Sequence, residues 1–198
     1  MAVALEPTVP LVLCLLAWPA LGIAMAVLRQ RHGSGPAARR DPVSHLGLAV
    51  QALGFGLGFA IPRPSDVPLS LAETLLCWLG VPLAWGSAWI AFQAVRVLGR
   101  HWSLEARLLP GHRLVREGPY AYVRHPIYSA MLGLFVGTGV SLTPLPVLLV
   151  AVGVYLLGTR LRTRSEERLL RRQFGDEYLR YVRQVPALVP WPGPTSLP

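Results

Sequence analysis

The amino-acid sequence predicts an all-α integral membrane protein with about five transmembrane helices, and two observations lead to this prediction. Only 15% of the 198 residues are charged and 53% are hydrophobic, whereas a soluble domain carries about 25% charged residues. The charges are also unevenly spread, because residues 9–28, 43–62, 74–95 and 126–159 contain none. A helix of about 20 apolar residues crosses the hydrocarbon core of a bilayer, so each of these segments is long enough to span it.

The last uncharged segment is too long for one span and suits two short ones. Pro144 and Pro146 lie near its middle, and paired prolines interrupt a helix because proline lacks a backbone donor. We therefore expect a tight helical hairpin at this point. It supplies the fourth and fifth spans.

The positions of the basic residues predict how the protein is oriented. All 19 of them are arginines, and they follow the first, third and fifth spans, with Arg63 alone on the other side. Positively charged loops remain in the cytoplasm, so we expect the N-terminus outside and the C-terminus cytoplasmic, in a membrane of the bacterial plasma-membrane type. Contact with anionic membrane lipids then explains the net charge of +9, and no nucleic-acid partner is predicted.

The chain divides into two unequal parts of one structural domain. Residues 1–95 contain three spans with few reactive side chains. Cys14 and Cys77 show neither metal nor redox spacing, so no metal site is predicted. Small residues in the second span predict close helix packing, and they are Gly47, Gly54, Gly56 and Gly58. Residues 96–198 contain the polar motifs, in a small surface hairpin over residues 98–117, two short transmembrane helices and a cytosolic amphipathic tail.

One polar motif immediately precedes the fourth span. It contains Tyr120 and the run Arg124-His125-Pro126-Ile127-Tyr128. Pro126 stands where a helix would begin, which is a favourable position for proline. Arg124 and His125 are therefore expected at a helix start on the cytoplasmic face, where backbone N–H groups and the helix dipole attract an anion.

A second polar motif follows the fifth span and begins with Glu166 and Glu167. Apolar residues then recur every four positions opposite an arginine-rich face, and they are Leu170, Phe174, Tyr178 and Val182. This spacing predicts an amphipathic helix lying on the inner leaflet. We expect an interruption at Gly175, with Asp176 capping a second helical segment.

Together the two motifs suit a ligand such as S-adenosylmethionine, which carries a carboxylate, a sulfonium and ribose hydroxyls. Arg124 would hold the carboxylate, tyrosine faces would lie against the sulfonium, and Glu166 or Glu167 would accept hydrogen bonds from the ribose. His125 is a candidate base for an amine or thiol acceptor, whereas a carboxylate needs no base. Each residue alone also has an ordinary explanation, as a membrane anchor, an interfacial tyrosine or an i,i+4 ion pair.

The order of these motifs resembles the C-terminal core of isoprenylcysteine carboxyl methyltransferases, and phospholipid N-methyltransferases are similar in the same region. The resemblance covers roughly residues 98–190 and includes residues 118–128, 166–167, 174–178 and Tyr181. It implies an S-adenosylmethionine-dependent enzyme that methylates a lipophilic or lipidated acceptor, such as an isoprenylcysteine carboxylate, at the inner leaflet. By this resemblance the cofactor pocket is lined by Tyr120, Arg124, His125, Pro126, Tyr128, Glu166 and Glu167, with Arg124 and His125 as catalytic candidates.

The resemblance leaves several alternatives open. Ala130 stands where many relatives have glycine, and the nearest glycine is Gly133, so the packing around the cofactor at the start of the fourth span is open. The acceptor is open among a prenylated cysteine carboxylate, a phospholipid amine, and a small thiol or other lipophilic molecule. An NADPH-dependent membrane reductase of the sterol or enone type is an alternative of another class, because the arginine-rich tail would suit a 2′-phosphate. A non-catalytic membrane scaffold is the third class of protein that the sequence leaves open.

Overall fold

The computed structural model describes residues 7–32, 42–64, 68–99 and 114–190. Within these ranges the chain forms six α-helices, which are α1 Thr8–His32, α2 Pro42–Ala60, α3 Leu71–Leu98, α4 Pro126–Leu142, α5 Leu145–Phe174 and α6 Asp176–Gln184. A short 3₁₀ turn, Gly118–Ala121, precedes α4. No strand occurs in these ranges, so the all-α prediction is confirmed for them. The predicted surface hairpin falls mostly on residues 100–113, which lie outside the described residues.

Five apolar helices correspond to the predicted spans. By length and composition α1, α2, α3 and α5 are able to cross a membrane, and α4 is apolar but has only 17 residues. The fifth span and the first part of the predicted tail form one unbroken helix, because α5 continues for 30 residues. A helix of that length measures about 45 Å, so its last turns extend beyond a hydrocarbon core of about 30 Å.

The helical hairpin lies where the paired prolines predict it. α4 ends at Leu142, and Pro144 is the N-cap of α5. Thr143, between the two helices, is fully buried and its hydroxyl donates to the carbonyl oxygen of Gly58. The backbone N–H of Arg63 donates to the carbonyl oxygen of Leu142 at 2.7 Å. These contacts hold the hairpin against the end of α2.

Close packing of α2 against α5 depends on glycine. α2 packs along α5, α3 packs along α4, and α1 packs against α3 and α4. A Cβ atom on Gly54 would lie 2.8 Å from the backbone nitrogen of Tyr155. Gly47 and Gly58 also approach their neighbours closely, whereas nothing lies within 4 Å of a Cβ on Gly56. The prediction of glycine-mediated packing is therefore confirmed at three of its positions, and it is wrong at Gly56.

Both cysteines are buried and free. The Cys14 sulfur lies 3.4 Å from the carbonyl oxygen of Gly137, and the Cys77 sulfur lies 3.5 Å from that of Val140. They therefore contribute to the packing of α1 and α3 against α4.

The amphipathic tail folds back onto the protein. The predicted interruption is confirmed at Gly175, which has a φ of +50°, a backbone conformation that favours glycine. Gly175 is also the N-cap of α6, so the predicted cap by Asp176 is wrong. Tyr178 and Tyr181 are 0% and 4% exposed and pack with Leu114, Leu170 and Phe174. Part of the apolar face of the tail is thus covered by protein, because the turn at Gly175 directs Tyr178 and Tyr181 inward, and the contact of the tail with the inner leaflet stays a prediction.

Replacing Gly54 with alanine is expected to destabilise the bundle. The added Cβ would lie 2.8 Å from the backbone nitrogen of Tyr155 and 3.0 Å from the carbonyl oxygen of Ala151, and such overpacking costs about 1–3 kcal/mol. Gly56→Ala is the matched control, since its Cβ meets nothing. Thermal unfolding in detergent, followed by circular dichroism, should show a lower midpoint for Gly54→Ala alone. Equal midpoints for the two variants would contradict the close contact of α2 with α5.

Candidate functional site

The two polar motifs meet at one end of the bundle. The residues preceding and beginning α4 lie beside the glutamates near the end of α5 and form a connected cluster with them. This polar cluster consists of Arg124, His125, Tyr128, Glu166 and Glu167. All five were predicted as cofactor-binding residues, so the fold brings the predicted side chains together.

Glu167 accepts hydrogen bonds from two directions. Its Oε1 accepts from Nε of Arg124 at 3.1 Å and from Nη2 of Arg124 at 2.8 Å. The same oxygen lies 3.2 Å from Nε2 of His125. Both charged partners are largely buried, with 11% of the Arg124 side chain and 18% of the Glu167 side chain exposed. Hydrogen bonds between ionised groups are the stronger kind, so they fix the orientation of this carboxylate.

Glu166 lies on the other side of the imidazole. Its Oε2 is 3.5 Å from Nδ1 of His125, and its Oε1 accepts a hydrogen bond from the hydroxyl of Tyr128. The backbone carbonyl of Tyr128 in turn accepts from the hydroxyl of Tyr155 at 3.2 Å. The imidazole is therefore held between two carboxylates, each of which has a further protein partner.

These two carboxylates control the protonation of His125. Burial alone lowers the pKa of an imidazole, and only 5% of this side chain is exposed. Hydrogen bonds from His125 to Glu166 and Glu167, together with their charges, outweigh burial and raise the pKa of His125 above its ordinary value of 6.5. Both ring nitrogens of His125 face carboxylate oxygens, Nδ1 that of Glu166 and Nε2 that of Glu167, so neither is directed at an acceptor. The geometry therefore disfavours the predicted base role of His125.

Arg124 connects Glu167 with the end of α6. Each of its three guanidinium nitrogens donates to a protein oxygen, since Nη1 donates to the carbonyls of Val182 and Val185 while the other two contact Glu167. The last carbonyls of a helix lack partners within the helix, and cations are favoured there. This arrangement gives Arg124 a positioning role, and the expected contact with a ligand carboxylate stays a prediction.

Residues 186–188 run across the start of α4. The backbone N–H groups of Arg124 and His125 donate to the carbonyls of Pro186 and Ala187 at 2.8 and 3.0 Å. The hydroxyl of Ser129 also donates to this segment. The chain after α6 therefore uses two of the backbone donors that were expected to attract an anion, and it holds the motif in place.

The remaining predicted cofactor residues surround the polar cluster. Tyr120 is buried beside Val115 and Ala94. Burial and then the charge of Glu166 raise the pKa of Tyr120, so its hydroxyl stays protonated near that carboxylate. Pro126 is buried at the start of α4.

Arg162 and Gln51 extend the polar cluster into the bundle, and neither was predicted there. The Arg162 guanidinium lies 5.1 Å from the ring centroid of Tyr128 and donates to Oε1 of Gln51 at 3.0 Å. Nε2 of Gln51 donates to the hydroxyl of Thr159 at 2.8 Å. Thr159, Arg162 and Glu166 are spaced by three and four residues, which places them on one helical face. That spacing is the signal by which the sequence indicates a buried polar face.

The departure from the family pattern at Ala130 lies away from the polar cluster. Ala130 is 3% exposed and packs in an apolar cluster with Cys14, Ala88 and Leu134. Gly133 faces Ser87 of α3. This departure therefore lies in the packing of α4 against α1 and α3, and Ala130 is not one of the residues of the polar cluster.

The fold and the site together define the class of this protein. It is a helical membrane protein with a buried cluster of carboxylates, imidazole and guanidinium at one end of its bundle. Residues 75–177 match the family described as phospholipid methyltransferase. The matched residues extend from α3 to the first turn of α6 and include the whole polar cluster. The chain belongs to this family.

Individual relatives are similar over a shorter stretch. The chain is 41% identical over 81 residues to protein-S-isoprenylcysteine O-methyltransferase B of Arabidopsis thaliana, which is 40% of this chain and 41% of that protein. It is 40% identical over 81 residues to the protein-S-isoprenylcysteine O-methyltransferases of Homo sapiens and Mus musculus, which is 40% of this chain and 28% of each of those proteins. The similarity thus spans less than half the length of these curated relatives.

Protonation of His125 should make part of the stability of the protein depend on pH. Because the folded-state pKa of His125 lies above 6.5, its stabilising contribution is complete below that pH and is lost as the pH rises through the folded-state pKa. The difference in thermal midpoint between wild type and His125→Asn should therefore shrink from acidic to alkaline pH. A difference that is constant, or that grows with pH, would contradict the pairing of His125 with the two glutamates.

Proposed function

We propose that this chain is an S-adenosylmethionine-dependent methyltransferase that acts on a lipophilic carboxylate, such as that of an isoprenylcysteine, at the inner membrane leaflet. Membership of the phospholipid methyltransferase family supports methyl transfer. The named activity of the relatives from Arabidopsis thaliana and Homo sapiens supports an isoprenylcysteine acceptor. The observation that carries the proposal is the polar cluster, in which a histidine is held between two carboxylates.

The polar cluster fits the charges of this cofactor. S-adenosylmethionine carries a positive sulfonium and a positive ammonium, and its ribose hydroxyls are hydrogen-bond donors. Glu166 and Glu167 offer negative charge and acceptor oxygens, and the ring of Tyr128 offers an aromatic face for a cation. When bound, the cofactor would supply an activated methyl group. The phosphates of NADPH would instead be repelled by the two glutamates, which favours the methyltransferase over the reductase.

In this proposal the residues of the chain bind the cofactor and orient it for the reaction. Glu166 and Glu167 contact the ligand, while Arg124 and His125 hold Glu167 in one orientation. Methyl transfer is an in-line displacement, and such a step depends mainly on positioning and on preorganised electrostatics. A rigid carboxylate pair supplies both of these contributions.

The contacts of His125 favour a carboxylate acceptor. An amine or a thiol must lose a proton before or during methylation, which requires a base. A carboxylate is already deprotonated near neutral pH, and its oxygen attacks without that help. Because Glu166 and Glu167 face both ring nitrogens of His125, the imidazole is poorly placed to remove a proton.

The arginines support an inner-leaflet location for the polar cluster. Arg29, Arg96 and Arg171 lie near the ends of α1, α3 and α5, which share the side of the cluster. On the other side, Arg63 forms an ion pair with Glu73 at 2.7 Å. Positive charge remains on the cytoplasmic side of a membrane, so the C-terminus is cytoplasmic in this proposal. A lipophilic acceptor would then reach the cluster sideways from the bilayer.

Glu167→Gln is expected to weaken binding of S-adenosylmethionine and S-adenosylhomocysteine at least about tenfold, which corresponds to about 1.4 kcal/mol. The substitution keeps the size of the side chain but removes the charge that Arg124 and His125 orient. Calorimetry on the purified protein in detergent measures the affinity of each ligand, with NADPH as the comparison.

Glu177→Gln is the matched control for that experiment. Glu177 is half-exposed and pairs with Arg116 at the surface of α6, where an ion pair contributes little. This variant should bind both ligands as wild type does. Wild-type affinity in Glu167→Gln would contradict the proposed site, and binding of NADPH alone by the wild-type protein would contradict the proposed cofactor.

A further inference from the structure

Gln51 is a buried amide in the middle of α2, and both ends of this amide have a partner. The residue is 4% exposed. Its Oε1 accepts from Nη1 of Arg162 at 3.0 Å, and its Nε2 donates to the hydroxyl of Thr159 at 2.8 Å. That hydroxyl donates its own proton to the backbone carbonyl of Tyr155 at 3.0 Å. A hydroxyl has one proton to donate, so Thr159 accepts from Gln51 and the orientation of the amide is fixed.

A glycine on each helix makes room for Gln51 and Arg162. A Cβ on Gly158 of α5 would lie 2.6 Å from the backbone nitrogen of Gln51 and 2.8 Å from its Cγ. A Cβ on Gly47 of α2 would lie 2.6 Å from Cγ of Arg162. Small residues allow two membrane helices to approach closely, and here they let each of the two polar side chains lie directly against the facing helix.

The guanidinium of Arg162 connects Gln51 with the ring of Tyr128. It lies 5.1 Å from the ring centroid, a distance at which the face of an aromatic ring attracts a cation. Arg162 is buried, and an ionisable side chain buried in a membrane-spanning helix points to a functional site.

Tyr128 is held on three sides. Its ring lies against Arg162, its hydroxyl donates to Glu166, and its backbone carbonyl accepts from Tyr155. A continuous series of contacts therefore leads from Gln51 in α2 to the carboxylate of Glu166. Without the acceptor that Gln51 provides, Arg162 would lose one of its partners and would hold the ring less firmly.

We propose that Gln51 is a positioning residue for methyl transfer, which acts by fixing Arg162 against the ring of Tyr128. The ring in turn holds Glu166 in the orientation that the cofactor requires. This inference rests on the proposed function, and it extends the site to α2. Gln51 lies outside residues 75–177, which match the phospholipid methyltransferase family, so the role falls to a part of the chain that this match does not cover.

Gln51→Met tests this role, because methionine has a similar length but lacks both polar groups of the amide. The kcat for methylation of a farnesylated cysteine, measured well below the thermal midpoint, should fall at least about tenfold, since in-line transfer is sensitive to small displacements. The affinity for S-adenosylhomocysteine in calorimetry should stay within about threefold of wild type, because the charges of Glu166 and Glu167 are retained. Gln51→Asn keeps the amide on a shorter side chain and should show the same fall in kcat if the methionine variant does not fold.

Thr143→Val is the matched control. It removes another buried hydrogen bond to α2, the one that the Thr143 hydroxyl donates to the carbonyl of Gly58, near the end of α2 that lies away from the polar cluster. The thermal midpoint of this variant should fall while its kcat remains that of wild type. If Gln51→Met also lowered only the midpoint and kept wild-type kcat, the positioning role would be overturned and the proposed function would stand.

A Tyr128→Phe background shows whether Gln51 acts through this ring. Phenylalanine lacks the hydroxyl that donates to Glu166, so a displaced ring no longer disturbs the carboxylate. Gln51→Met should therefore change kcat by less than about threefold in this background. An equal loss of kcat in both backgrounds would overturn the proposed route. Failure of the wild-type protein to methylate the farnesylated cysteine would overturn both this role and the proposed function.

Discussion

The contact of Glu167 with Arg124 and His125 is the interaction on which the rest of the site depends. Removing an ionised carboxylate from water is costly unless charged donors replace its hydration. Here a guanidinium and an imidazole provide that replacement at one oxygen. Because Arg124 precedes α4 and Glu167 lies near the end of α5, the contact requires the two ends of the helical hairpin to lie side by side. The turn at Pro144 makes that arrangement possible.

The same requirement explains why the tail folds back. Arg124 has more donors than Glu167 accepts, and the buried backbone N–H groups at the start of α4 also need acceptors. The carbonyls of Val182 and Val185 and those of residues 186–188 satisfy them. Gly175 allows the chain to turn between α5 and α6. The tail is therefore part of the site.

The sequence predicts the parts of this structure that depend on local physics. The thickness of a bilayer sets how long an uncharged segment must be to span it, so the spans were predictable. Proline lacks a backbone N–H donor and interrupts a helix, so the helical hairpin was predictable at Pro144. The partners of Arg124 were not predictable, since they depend on where α6 folds. The apolar period of the tail is the same for a helix that faces lipid and one that faces protein, so the burial of Tyr178 was not predictable either. The raised pKa of His125 follows from two carboxylates that only the fold brings together.

Methyl transfer by the purified protein tests the central claim most directly. Radiolabelled S-adenosylmethionine would be offered with a farnesylated cysteine carrying a free carboxylate, and separately with phosphatidylethanolamine in the same detergent. Because Glu166 and Glu167 face both ring nitrogens of His125, the imidazole is not placed to act as a base. We therefore expect base-labile label on the cysteine carboxylate and none on the phospholipid amine. Label on the amine alone would contradict the account, because the site would then have to remove a proton although both ring nitrogens of His125 already face carboxylates.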